Sequence, residues 1–423
     1  MRGMTSTASS TASSTANASA IPTTAAHAAE LDAADPLAPF RDRFVVRDPD
    51  LVYLDGNSLG RLPTATAARL ATTISDGWGG ELIRGWDEWL DLPEVVGDLI
   101  AEAVLGARPG EVVVSDSTTV NLYKLAHAAL DAQPGRSVIV TDRDNFPTDR
   151  YVLEGLARAR GLELRWIDAD PVDGPRAADV VAALDGDVAL VSLSHVNYRS
   201  AAIADMAAIS ALANEAGALT LWDLSHGVGS IPVALEAEGA DLAVGCTYKF
   251  LNGGPGAPAF LYVRRELQER LRNPIQGWFG QREQFAMGPA YDPEPGIRAW
   301  LTGTPTILAV RAVEQSVRLV AEAGIDSIRA KGIALTEFAI ALHDVWLAPL
   351  GFELGSPRDP DRRGAHVAVR HADARRYNAE LIAAGVVPDF REPDSLRLGL
   401  SPLSTSFGDV WSGLDRLRRI AAP

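Results

Sequence analysis

An acid and a base stand at the ends of two successive apolar runs. Asp223 closes "LTLWD", and Lys249 follows "LAVGCTY". A buried ammonium is costly unless it is paired or neutralised. A lysine that has lost its proton is a nucleophile toward carbonyl carbon. An aspartate at the next strand end suits a cationic ring nitrogen. An amine for an aldehyde and an acid for a pyridine nitrogen are the two poles that pyridoxal phosphate requires. The chain has only three lysines, Lys124, Lys249 and Lys331, among 39 lysines and arginines. Such scarcity follows from an arginine-rich composition and says nothing by itself; the position of Lys249 is the informative feature.

Other strand ends carry compatible chemistry. In "VVVSDSTTVNLYKLAHAAL" a strand passes through a Ser/Thr turn into a helix. The hydroxyls and free N–H groups of Ser117, Thr118 and Thr119 would cradle a phosphate at a helix N-terminus. The same residues read equally as a plain N-cap. In "TDRDNFPTDRYV", Phe146 can stack on a planar ring and Asp149 can meet a ring nitrogen, or the aspartate simply belongs to a solvated turn. His226 lies three residues after Asp223, in a turn, as part of the same constellation or as a satisfied turn histidine.

Several classes are excluded. There is no HExxH and no Cys/His spacing for a metal. There is no G-x-S-x-G elbow, and "GNSLG" and "GGPG" are not dinucleotide fingerprints. The single cysteine, Cys246, allows no internal disulfide and fits a reducing cytoplasm. A net charge of −16 argues against nucleic acid and anionic membrane as partners. No run of about 18 apolar residues appears, so no membrane span is expected.

The elements that must position these residues are legible as alternation. "EVVVSDS", "RSVIVTD", "ELRWIDAD", "VALVSLS", "LTLWDLS", "LAVGCTY" and "APAFLYV" are strand-like, with alanine-rich helical stretches between them. That order predicts an α/β fold: a mostly parallel seven-stranded sheet with helices on both faces, and ligands outside the carboxyl ends of its strands. A Gly/Pro/aromatic-rich stretch over 264–300 follows, then a long helix near 306–346. A smaller C-terminal α+β domain has strands at "HVAVR" and "SLRLGL". The boundaries expected are a disordered Ser/Thr/Ala-rich tail over 1–35, a large domain over 36–300 and a small domain over 301–423.

Taken together, "VYLDGNSLGRLP" (52–63), "STTVNLYKL" (117–125), "FPTD" (146–149), "DLSHGVGSIPV" (223–233), "TYKFLNGGPG" (247–256), "GWFG" (277–280), "GIRAWLTGTPTIL" (296–308) and "LRLGLSPLSTSF" (396–407) resemble the kynureninases. These are fold type I enzymes that use pyridoxal 5′-phosphate, with an aspartate aminotransferase-like large domain. The resemblance implies that water cleaves kynurenine between Cβ and Cγ to give anthranilate and alanine. It makes Lys249 the cofactor-bearing lysine, which also takes the Cα proton. Asp223 and Asp149 become partners of the ring nitrogen, and Phe146 the stacking ring. Thr118, Thr119, Ser194, His226 and Tyr248 become further cofactor contacts, with Tyr248 at the phosphate and relaying protons. Arg397, together with Ser58, is assigned to the substrate, Arg397 pairing with its α-carboxylate.

The resemblance also implies a cytoplasmic homodimer with shared sites, Trp278 and Thr304 reaching the phosphate of the second subunit's site. The family often has Asn where Thr304 stands. Animal-type members, which prefer 3-hydroxykynurenine, carry a histidine in the segment matching "GGELIRGWDEW" (79–89); none is present here, which favours plain kynurenine. Trp86 or Trp89 is the candidate to face the substrate ring, or else either is core. The nearest alternative is a cysteine desulfurase or class V aminotransferase. A desulfurase needs a nucleophilic cysteine on a mobile loop, and Cys246 sits in an apolar run where a thiol should be inert. A binding protein without catalysis would not need the lysine, both aspartates and Arg397 intact.

Overall fold

The computed structural model describes residues 21–422. All seven expected strands form one sheet. Its order is Val112–Ser115, Ala259–Val263, Leu242–Gly245, Leu219–Asp223, Val188–Ser194, Val138–Asp142 and Glu163–Ile167. Every neighbouring pair is parallel except the two made by Ala259–Val263. Val112–Ser115, Ala259–Val263, Leu242–Gly245, Leu219–Asp223 and Val138–Asp142 are buried along their whole length, and Val188–Ser194 as far as its last residue. Helices cover both faces, which is why these strands read as continuous apolar runs rather than as alternation. Because six strands share one direction, Ser115, Asp142, Ser194, Asp223 and Gly245 all end at the same edge of the sheet.

A second sheet of four strands, ordered Asp389–Arg391, Ser395–Gly399, His366–Arg370 and Glu353–Leu354, forms the C-terminal part. "HVAVR" and "SLRLGL" are its two long central strands and pair antiparallel, with Ala368 opposite Arg397. The segment 52–60 joins the two sheets. Gly56 N–H donates to the Gly399 carbonyl (3.2 Å), and Gly60 N–H donates to the Tyr248 carbonyl (2.8 Å). A Cβ on Gly60 would lie 2.3 Å from the Lys249 carbonyl oxygen, so only glycine permits this approach.

Two expectations are corrected. The long helix near 306–346 is broken into Ile307–Ala323 and Ile325–Leu342. Gly324, at φ 77°, ends the first and turns the chain into the second. The stretch Ile325–Leu350 is apolar and long enough to cross a membrane by composition, but half of it is buried in the fold, as suits a core helix. The tail expected over 1–35 is also shorter at its inner end, because Ala25–Ala34 is a helix. Asp32 accepts the N–H groups of Phe407 (2.8 Å) and Gly408 (3.0 Å), capping the C-terminal helix Phe407–Ala421. Asp35 forms an ion pair with buried Lys331 at 2.6 Å. Alanine-rich composition concealed a helix whose order comes from these distant contacts. Residues 1–20 of that tail lie outside the described residues.

Candidate active site

Each strand end delivers one part of the site. After Val112–Ser115, Ser117 caps helix Thr118–Asp131, its Oγ accepting the Val120 N–H (3.3 Å). The unpaired N–H groups of the first turn and the hydroxyls of Thr118 and Thr119 thus face the sheet edge. After Val138–Asp142 comes a tight turn held by Asn145, whose Oδ1 accepts the Phe146 N–H (2.8 Å) and the Ser194 hydroxyl (2.6 Å). Pro147 starts the next helix, and Asp149 lies in its first turn. Asp223 ends its strand with Oδ1 accepting the Ser225 N–H (2.8 Å). Lys249 follows Leu242–Gly245 in an irregular turn closed by Asn252 at φ 58°.

Thr118, Thr119, Phe146, Asp149, Asp223, Tyr248 and Lys249 line one cavity of about 380 Å³. Within it the Lys249 amine stands 3.0 Å from His226 Nε2 and 5.7 Å from the centre of the Phe146 ring. Burial holds the Lys249 amine below its ordinary range. Burial, then the lysine itself, holds the His226 imidazole far below its own, so the ring is neutral. Asp149 is pushed well above the usual carboxylate range by burial and by Asp223 beside it. Its Oδ2 is buried with no hydrogen-bond partner among the described residues.

These features fit pyridoxal 5′-phosphate. Two adjacent buried carboxylates, one with an orphaned oxygen, call for a cationic N–H, which a protonated pyridine supplies. Lys249 offers an amine that burial makes easier to deprotonate, Phe146 a flat wall, and Ser117–Thr119 a phosphate cradle at a helix N-terminus. Tyr248 lines the same cavity. Cys246 beside it, then its own burial and the Asp223 carboxylate, push the phenol up, so its hydroxyl remains a proton donor.

Arg397 is buried next to this cavity. Its Nε donates to Asp389 Oδ2 (2.6 Å), Nη2 reaches the same oxygen, and Nη1 donates to the Tyr198 carbonyl. Ser58 Oγ lies 3.4 Å from Nη2. Tyr198 links the regions, since its ring meets Phe146 edge-on at 5.3 Å. Ser194, level with Asp223 in the sheet, is engaged by Asn145. Trp278 and Thr304 do not reach the cavity within one chain. Trp278 is 37% exposed against Phe279 and Phe285, and Thr304 lines separate cavities. Trp86 packs on Phe279, and Trp89 lines a groove with Trp78 and Thr304, so neither faces Lys249 in the single chain.

Sequence reading missed Asn145, Tyr198, His366 and Asp389. His366 is fully buried, with its ring 6.1 Å from that of His226. Asp389 had a signal, an acid in an edge strand two residues before Arg391, but its partner Arg397 became visible only through strand pairing. Asn145 had one as well, in the turn-favouring "DNFP".

The chain is 44% identical over 398 residues to a kynureninase of Pseudomonas fluorescens, covering 92% of this chain and 94% of that protein. It belongs to the kynureninase family. A kynureninase of Burkholderia pseudomallei is likewise 44% identical over 405 residues, covering 94% of this chain and 95% of that one. The family description "Kynureninase C-terminal domain" matches residues 328–417. Among solved structures, the apo cysteine desulfurase of Thermococcus onnurineus superposes with a TM-score of 0.78 at 17% identity, over 88% of this chain and 95% of that one. That likeness concerns the fold. The only thiol of this chain, Cys246, is 2% exposed and pushed up by burial.

Proposed function

We propose that the cavity around Lys249 hydrolyses L-kynurenine between Cβ and Cγ to anthranilate and L-alanine, on enzyme-bound pyridoxal 5′-phosphate. The chain is a hydrolase of carbon–carbon bonds in ketonic substances. The observation that carries this reading is its 44% identity to a kynureninase along almost its whole length. The cavity supplies the chemistry that such an enzyme needs.

The cofactor, when bound, supplies an aldehyde carbon for attachment of the amine and a pyridinium ring that accepts the electron pair released at Cα. The residues around it do the rest. Asp149 and Asp223 hold a proton on the ring nitrogen. Phe146 fixes the ring plane. Lys249, whose buried amine gives up its proton more readily than an exposed one and stands beside a neutral His226, would form the bond to the cofactor and later take the Cα proton. Tyr248 holds a proton within the same cavity and returns it to substrate carbon. Arg397, oriented by Asp389 and the Tyr198 carbonyl, pairs with the α-carboxylate beside Ser58. The absence of histidine over 79–89 supports plain kynurenine rather than its 3-hydroxy derivative. Anthranilate fluorescence should rise when kynurenine is added to the protein with pyridoxal phosphate. No rise with a folded, cofactor-loaded protein would overturn the reading.

We also propose a cytoplasmic homodimer whose sites are shared, Trp278 and Thr304 completing the second subunit's site. Large apolar side chains stand exposed at Met287 (72%), on the loop that follows Trp278, and at Trp78 (58%) and Ile83 (76%) in the segment 73–85, where Trp78 lines a groove with Thr304. Mixing tests this proposal. A Lys249→Ala chain and a Trp278→Ala/Thr304→Ala chain are each inactive, but a hybrid dimer holds both lesions in one site and leaves the other whole. Random pairing should recover about a quarter of wild-type activity. Verified hybrids without recovery would contradict sharing.

A further inference from the structure

Lys124 has no part in the chemistry above, yet it is fully buried. It sits on helix Thr118–Asp131 and reaches back past the start of its own helix. Its ammonium donates to Asp116 Oδ2 (2.8 Å), to the Trp300 carbonyl (2.8 Å) and to Ser115 Oγ (3.2 Å). Asp116 is the residue on which the strand turns toward the helix, and its backbone is left-handed at φ 47°. A non-glycine residue adopts that conformation only where its surroundings hold it, and aspartate is one of the few that tolerate it. The surroundings are specific. Ser115 Oγ donates to Asp116 Oδ2 (2.8 Å), Thr302 Oγ1 lies 3.2 Å from Oδ1, and the Asp116 carbonyl accepts the Ala259 N–H (2.9 Å). Asp116 borders both the Lys249 cavity and the adjoining cavity beneath Thr302–Thr306.

We propose that Lys124 and Asp116 are positioning residues for the cofactor's phosphate, setting the turn Ser117–Thr119, with Lys124 cancelling the charge of the carboxylate that immediately precedes it. The proposal rests on the reading of Ser117–Thr119 as the phosphate cradle. Geometry and charge act together. Asp116 immediately precedes the cradle, so its conformation aims the first N–H groups and hydroxyls of the helix. An unpaired carboxylate there would repel a phosphate dianion. Burial alone would raise the Asp116 carboxyl, but the Lys124 ammonium outweighs it and holds the group below its ordinary range, as a carboxylate. The pair thus presents the phosphate with oriented donors and no net local charge. Because Trp300 and Thr302 bind the same two side chains, the loop leading to Thr304 is fastened at the same point.

The test compares pyridoxal 5′-phosphate with pyridoxal, which lacks the phosphate, by titrating apoprotein of the full chain. In Lys124→Met, affinity for pyridoxal phosphate should fall at least about tenfold, while that for pyridoxal changes less than about threefold. Lys124→Met/Asp116→Asn removes the stranded carboxylate and keeps a residue that tolerates the turn, so it should recover part of the lost preference. A parallel loss of both affinities would mean a merely structural role and overturn the proposal. An unchanged preference, or a double variant that recovers nothing, would do the same. Should Lys124→Met not fold, the double variant carries the test: a phosphate preference below wild type supports the proposal, and one equal to it overturns it. Thr118→Val/Thr119→Val separates the two readings. If that variant keeps its full phosphate preference, the cradle assignment has failed. If it loses the preference and the Lys124 variants do not, only the present inference has failed.

Discussion

The three lysines occupy two kinds of surroundings. Lys124 and Lys331 are buried against carboxylates, Asp116 at 2.8 Å and Asp35 at 2.6 Å. Lys249 is buried too, but its nearest polar neighbour is an uncharged imidazole, 3.0 Å away. A buried ammonium with a counter-ion stays an ammonium and serves as a fixed strut. A buried amine without one is held as an ammonium by less and gives up its proton more readily, which is what a nucleophile needs. The difference lies in the partner, not in depth or residue type. It separates regions that hold the fold from the region that does chemistry. The carboxylates of the active cavity obey the same rule, because Asp149 and Asp223 stand together and leave an oxygen of Asp149 without a donor.

The contrast can be attacked from both sides. The largest effect is expected at the carboxylates. Asp223→Asn should still bind the cofactor, but turnover should fall at least about a hundredfold, since an amide cannot keep the ring nitrogen protonated. Steady-state kinetics on cofactor-loaded protein check this, and near-normal turnover would remove Asp223 from its role. A strut behaves differently. Lys331→Met leaves Asp35 buried and unpaired, which should cost about 3–5 kcal/mol of stability. The kcat of the protein that remains folded should stay within about twofold. Urea unfolding and kinetics on the same preparation decide the matter, and a loss of kcat at undiminished stability would erase the distinction. The smallest effect is expected at Cys246→Ser. Its thiol is buried and held protonated, so kynurenine cleavage should persist. Loss of activity with fold and cofactor intact would bring thiol chemistry back into consideration.

Much of this arrangement was legible in the residues. All seven strands of the large sheet were visible: six are buried almost throughout and read as apolar runs between turn residues, and the half-exposed edge strand Glu163–Ile167 continues the alternation with helices. The residues just beyond their carboxyl ends therefore had to share one edge, and Lys249, Asp223, Asp149 and Phe146 do. What escaped depends on contacts between distant segments. Asp389 meets Arg397 only because two strands pair in one register. Helix Ala25–Ala34 has little apolar patterning and is held by Asp32 and Asp35 against elements some three hundred residues away. The break at Gly324 was concealed because helices on either side of it carry the same periodicity, and one glycine within a helical pattern does not announce a turn. Trp278 and Thr304 remain outside the cavity of one chain, and no local pattern says which subunit a loop serves.

The central claim is that the lysine without a carboxylate is the one that forms the covalent bond. Borohydride reduction of the cofactor-loaded protein, followed by proteolysis and mass mapping, tests it directly. The pyridoxyl mass should appear on the peptide containing Lys249 and on neither of those containing Lys124 and Lys331. Label on either paired lysine, or a loaded and reduced protein with Lys249 unmodified, would contradict the account.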